Sequence, residues 1–137
     1  ILQIIYGAFI AGLKAGLVHN HWPLMNDGKF IHHTVYVLDP FYKNLIENPS
    51  GIQFVHRILA FLVVLSVYLI WKRTKFLKLE TNQKQGVNSL VILVLVQFVL
   101  GVFTLLLQVP LWLGVAHQVG AFLLLSAMTF TLHRFSK

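Results

Sequence analysis

Two histidines lie inside apolar stretches, where an ionisable side chain is costly. His56 belongs to "GIQFVHRILAFLVV" and His117 to "LWLGVAHQVGAFLLL". Each stands about five residues past the start of its run, Gly51 in one case and Trp112 in the other, which is about 7–8 Å along a helix. Two imidazoles at one depth on facing helices can hold one flat metal cofactor from both sides. Heme suits that arrangement, because histidine is a common axial ligand and bundle cores are common cofactor sites. The alternative is that each ring only hydrogen-bonds a neighbouring helix. The matched depth favours the ligand pair. A zinc site would require further ligands, and none appears at this depth.

Arg57 adjoins His56, and Lys14 lies near the end of the first apolar run. An anionic group such as a heme propionate would account for both cations, since arginine binds a carboxylate bidentately. Snorkelling to lipid headgroups is the competing explanation. Gln97 and Gln118 are polar groups within apolar runs, with interhelical hydrogen bonding as their simplest role. Gly7, Ala11 and Ala15, the pair Gly12 and Gly16, and Gly120 suit a flat ligand or close helices, with helix packing the favoured reading.

Five further histidines lie elsewhere. His19, His21, His32 and His33 fall in one long connection. Their irregular spacing favours a solvated loop over a copper or zinc site. His133 falls near the end of the last run. Ser66, Ser89 and Ser126 lack a nearby carboxylate, so no hydrolytic nucleophile is visible. Asp27, Asp39, Glu47 and Glu80 are the only acidic residues, and all fall in loops or at helix ends. Chemistry within the apolar runs would have to come from a metal or cofactor.

These residues must be positioned by helices that lie in lipid. Of 137 residues, 57% are hydrophobic and 11% charged, less than half the charged share usual in soluble domains. There is no cysteine, which excludes disulfides, Cys-ligated metal sites and covalently attached heme. The net charge of +7 does not point to nucleic acid. Lys72, Arg73, Lys75, Lys78 and Lys84 cluster in one segment between apolar runs, as in a cytoplasmic membrane loop. Four helices are expected, at about 1–18, 52–71, 87–109 and 111–132, each close to the ~20 residues that span a bilayer. They predict a single domain over 1–137, an all-α transmembrane four-helix bundle running up-down-up-down. By the distribution of Lys and Arg, both termini lie inside and the loop 19–50 and the Pro110 turn lie outside. Within that loop, "LDPFYKNLIENPSG" predicts a short amphipathic helix with Phe41, Tyr42, Leu45 and Ile46 toward lipid. Trp22 and Trp112 suit an outer aromatic belt. The chain opens on Ile1 within an apolar run, so it is expected to be part of a longer protein.

The segments "GAFIAGLKAGLVHNHWPLM", "ENPSGIQFVHRILAFLVV", "VQFVLGVFTLLLQVPLWLGVAHQVGAFLLL" and "LHR" together resemble the C-terminal half of heme A synthase, over essentially the whole chain. The resemblance implies half of an eight-helix, pseudo-symmetric membrane protein whose two four-helix halves each carry a histidine pair. It implies that the N-terminal half holds the substrate heme O and that this half holds a heme b cofactor passing electrons. The implied reaction oxidises a heme O methyl group to the formyl group of heme A through successive hydroxylations, in cytochrome oxidase assembly. His56 and His117 match the family's axial ligands. The family's proposed catalytic glutamate belongs to the other half. The corresponding neighbourhood here is Gln53, which has no carboxylate and fits a cofactor half.

The implied partners are the N-terminal half, heme O and heme A, the lipid bilayer, an electron donor of unknown identity, and heme O synthase or oxidase assembly factors. The implied location is the bacterial cytoplasmic membrane, with the mitochondrial inner membrane as the alternative. Two other functions stand beside this one. A b-type cytochrome module would only transfer electrons. A transporter or assembly subunit would bind no heme, and an absorption spectrum separates it from the rest.

Overall fold

The computed structural model describes residues 1–136 and is all-helical. Helix α1 runs Leu2–Gly12, α2 Lys43–Ile46, α3 Pro49–Thr74, α4 Thr81–Leu106 and α5 Leu111–Phe135. Short 3-10 turns occupy Ala15–Leu17, Asn26–Gly28 and His33–Tyr36. Helices α3, α4 and α5 are long and apolar enough to cross a membrane.

Local chemistry sets the boundaries. The Asn48 side chain accepts a hydrogen bond from the Ser50 amide at 3.0 Å, and Pro49 occupies the first turn. This cap starts α3 three residues before the apolar run. Helix α4 starts six residues before its apolar run because Glu80 and Gln83 form a reciprocal capping box. It stops at Leu106, since Gln108 and Val109 take left-handed φ values of 60° and 57°. Helix α5 follows directly from Pro110 and ends at Phe135, three residues past the expected 132.

The first apolar run departs from expectation. An 18-residue helix is expected there, but α1 has 11 residues, about 17 Å of helix. Lys14, with φ 52° and ψ 28°, breaks the run before the Ala15–Leu17 turn. Gly12 and Gly16 therefore do not share a helix face. Four spanning helices in a bundle reduce to three, with α1 as a shorter apolar helix.

Side-chain pairs fix the directions. Phe61 stacks near Phe98 and Trp71 donates to Asn88, so α3 and α4 are antiparallel. Gln97 meets His117 and Gln83 donates to the Arg134 carbonyl, so α4 and α5 form an antiparallel hairpin. Helices α3 and α5 therefore run the same way. The extensive packing is α1 on α3, α3 on α4, and α4 on α5. Apolar side chains such as Leu65, Leu69, Ile92, Val99, Val115 and Phe122 face outward, as lipid-facing residues do.

The densest packing lies instead where the segment between α1 and α3 folds against the first turn of α3. Met25, Ile52, His19, Gln53 and Asn44 are the largest fully buried side chains among the described residues. Asn44 donates to the carbonyls of Leu38 and Phe41 and accepts from the Leu38 amide. Asn48 donates to the Thr34 carbonyl at 2.7 Å and to Asn44 Oδ1 at 2.9 Å. At Gly51 an added Cβ would run into the Asn44 carbonyl oxygen, so the segment approaches as only glycine permits. Helix α2 is a single turn. Phe41 and Tyr42 before it and its last residue Ile46 are exposed, whereas Leu45 is half-buried, so the expected amphipathic helix is reduced to one turn with three of its four apolar residues outward.

Candidate functional site

His56 is the eighth residue of α3 and His117 the seventh of α5. Because the two helices run in parallel, the rings lie about 9–11 Å from their helix starts. Each is partly buried. Each also faces a glycine on a neighbouring helix. A Cβ at Gly7 would come to 3.5 Å from His56 Cε1, and one at Gly101 to 2.9 Å from His117 Cε1. The glycines of α1 and α4 thus leave room for the two rings.

The rings have unequal partners. Gln3 Nε2 lies 3.1 Å from His56 Nε2, while His56 Nδ1 and Gln3 Oε1 are buried without a partner. Gln97 Nε2 donates to the His117 carbonyl at 2.7 Å and also lies 3.2 Å from His117 Nδ1. Gln97 was expected to bridge helices and does so. Gln118 is exposed and makes no side-chain hydrogen bond among the described residues. Gly120 packs against Gln97, as a helix-packing glycine should. The role of Gln3 was not visible in the sequence, although its position four residues before Gly7 puts both on one face of α1.

Arg57 points into the segment that covers the start of α3. Its Nη2 donates to the His19 carbonyl at 2.8 Å and its Nη1 to the Leu24 carbonyl at 3.3 Å. Gln53, 2% exposed, donates to the same His19 carbonyl at 3.1 Å. Arg57 Nε and Gln53 Oε1 remain buried without partners. Lys14 is exposed between α1 and the Ala15–Leu17 turn, with no side-chain hydrogen bond or ion pair among the described residues. The structure does not join it to Arg57.

The connecting segment is not the solvated loop expected of it. His19 and His32 are buried, whereas His21 and His33 are exposed. His19 Nε2 meets Ser50 Oγ at 3.1 Å and Thr34 Oγ1 at 3.3 Å, and Thr34 donates to Ser50 at 2.9 Å. His32 reaches Thr34 at 2.8 Å and Asp27 at 3.1 Å. The physical reason is that Gly51 lets the segment lie on α3, where its polar groups need internal partners. Burial, then the neighbouring His32 and Arg57, lower the His19 pKa below its ordinary value. Among the described residues no three of His, Cys, Asp or Glu converge as a metal site, and the rings of His19, His32 and His33 instead pack against one another. His133 is exposed in the last turn of α5.

Three helices long and apolar enough to cross a membrane, two of them carrying one histidine each near the start, define a helical membrane protein. Residues 1–129 match the cytochrome oxidase assembly protein family, and the chain belongs to that family. Similar proteins include the heme A synthase of Flavobacterium johnsoniae, 56% identical over all of this chain and 40% of its own length. The heme A synthase of Flavobacterium psychrophilum is 55% identical over all of this chain and 41% of its length. That of Nitrosospira multiformis is 39% identical over 96% of this chain and 37% of its length. The chain therefore spans about two fifths of the length of these relatives. No solved structure matches it.

Proposed function

We propose that this chain is the cofactor-binding half of a heme A synthase, in which His56 and His117 hold a heme b between α3 and α5. The observation that carries the reading is the pair of imidazoles at one depth on parallel helices, each facing a glycine. The donor set fits a bis-imidazole heme. The glycines at 7 and 101 give the two rings room, and Gln3 would have to yield His56 Nε2 for that nitrogen to hold the iron.

When bound, the heme would supply one-electron redox chemistry for the oxidation of the heme O methyl group to the formyl group of heme A. The residues of this chain would hold, orient and shield it. Arg57 keeps Nε free of other partners and is the proposed partner of a propionate. Lys14, exposed at the same end, is a second candidate at longer range. Gln53 cannot ionise, so it serves no acid–base step and holds the covering segment through the His19 carbonyl. The substrate heme O, the N-terminal half, the electron donor and the oxidase assembly machinery are the proposed partners. The bacterial relatives favour the bacterial cytoplasmic membrane as its location. The absence of a carboxylate at Gln53 also suits a second reading, a b-type cytochrome module with no catalysis of its own.

The test is optical and electron paramagnetic resonance spectroscopy of the purified protein with heme b. The expected result is a low-spin, six-coordinate heme that His56→Ala or His117→Ala abolishes. An unchanged spectrum in either variant would overturn the ligand assignment.

A further inference from the structure

Gln97 stands in a fixed relation to His117 that simple interhelical bonding does not require. Its amide nitrogen lies 2.7 Å from the His117 carbonyl oxygen, which can only accept. That nitrogen is therefore the NH₂ end of the amide. Its second proton points to His117 Nδ1 at 3.2 Å, so Nδ1 presents its lone pair and the neutral ring carries its proton on Nε2. The other end of the amide, Gln97 Oε1, is buried and has no partner. It sits in the notch that Gly120 leaves, and a Cβ there would run into it.

We propose that Gln97 is the positioning residue of His117: its carboxamide fixes the rotation of the ring and selects which ring nitrogen carries the proton. This rests on the bis-histidine reading for its consequence, though not for its geometry. A histidine that binds metal through Nε2 must carry its proton on Nδ1, usually donated to an oxygen. The unused Gln97 Oε1 is the acceptor at hand. Presenting it to Nδ1–H takes a turn of the amide and a shift of the side chain off the His117 carbonyl, because two acceptor oxygens cannot face each other at the 2.7 Å now spanned by the N–H donor. Heme binding at His117 thus exchanges one end of the amide for the other. His56 is prepared differently, because Gln3 meets it at Nε2 and leaves Nδ1 unpartnered.

The first measurement needs no heme. Nitrogen-15 resonance of the histidine ring in the heme-free protein is expected to show the Nε2-protonated form of His117. In Gln97→Leu a mixture of both forms is expected. With heme b bound, Gln97→Leu should lower heme affinity about two- to tenfold, the worth of one neutral hydrogen bond, and change the low-spin g values. Gln97→Glu should restore a fixed ring and lower the midpoint potential by accepting from Nδ1–H. Gly120→Ala displaces the amide without touching the ring and should reproduce the Gln97→Leu signature. If Gln97→Leu fails to fold, Gln97→Glu and Gly120→Ala decide. Gln118→Leu, on the exposed face, should change nothing. Unchanged ring protonation, g values and potential in Gln97→Glu and Gly120→Ala would overturn the proposal. A parent protein that binds no heme would instead defeat the heme reading and leave the tautomer measurement to judge Gln97.

Discussion

Replacing Arg57 by alanine separates two jobs that one side chain can perform. The first is structural. Arg57 holds the segment between α1 and α3 through the carbonyls of His19 at 2.8 Å and Leu24 at 3.3 Å. A hydrogen bond from a charged donor contributes about 1.5–3 kcal/mol. The longer bond lies beyond the usual N–H···O range and adds little. The His19 carbonyl keeps Gln53 as a partner, so no orphaned acceptor adds to the loss. The expected local destabilisation is about 2 kcal/mol, or roughly a 30-fold rise in the opening equilibrium. Hydrogen exchange of the amides from His19 to Met25 reads it directly. The second job is electrostatic. If Arg57 Nε meets a propionate, the same variant lowers the midpoint potential of bound heme b, because a positive charge beside the oxidised iron is lost. Arg57→Lys should recover part of the potential but not the exchange protection, since lysine lacks the fork that spans two carbonyls. Unchanged exchange would refute the anchoring argument, and an unchanged potential would refute the propionate contact.

Three other outcomes follow from the same geometry. With the His19 pKa held below its ordinary 6.5 by burial, His32 and Arg57, the unfolded segment takes up a proton that the folded one resists. Stability of the segment should be level above about pH 6.5 and fall as pH drops below it, and limited proteolysis from about pH 7 to pH 5 that shows no such fall would contradict this. Gly51→Ala puts a Cβ against the Asn44 carbonyl and should open the segment to proteases while leaving α4 and α5 protected; equal resistance of parent and variant would show that the contact can relax. The isolated chain is expected to bind heme b without converting heme O to heme A, and chromatographic detection of heme A from it alone would count against a cofactor-only half.

That His56 and His117 stand a similar distance into two parallel helices was legible, because two apolar runs each carry one imidazole at the same offset. The three long helices were legible for a similar reason, with boundaries displaced by caps. Glu80 and Gln83 extend α4 into polar residues that hydropathy leaves out. The break at Lys14 was not legible, since a left-handed lysine carries no local signal of the kind glycine would give. The burial of His19 and His32 was hidden as well. It depends on contacts between residues far apart in the chain, such as Asn48 with Thr34 and Gln53 with His19. The irregular spacing of the histidines suggested solvent, whereas the polar groups there satisfy one another. Gly51 was the one available clue, but in Asn48-Pro49-Ser50-Gly51 it reads as part of a turn.

The placement of His56 and His117 near one end of their helices has an electrical consequence. Helix α3 has 26 residues and is about 39 Å long, so its ends reach past the ~30 Å of hydrocarbon. With α3 upright and centred on the hydrocarbon, His56 would lie about 6 Å inside one boundary, a fifth of the way across. A unit charge crossing the whole membrane exchanges about 2.3 kcal/mol per 100 mV. A charge arriving at that depth from the near side would exchange roughly a fifth of this, about 0.5 kcal/mol, and one from the far side the remaining four fifths. An electron delivered to this position would therefore be nearly insensitive to membrane voltage by one route and strongly coupled to it by the other.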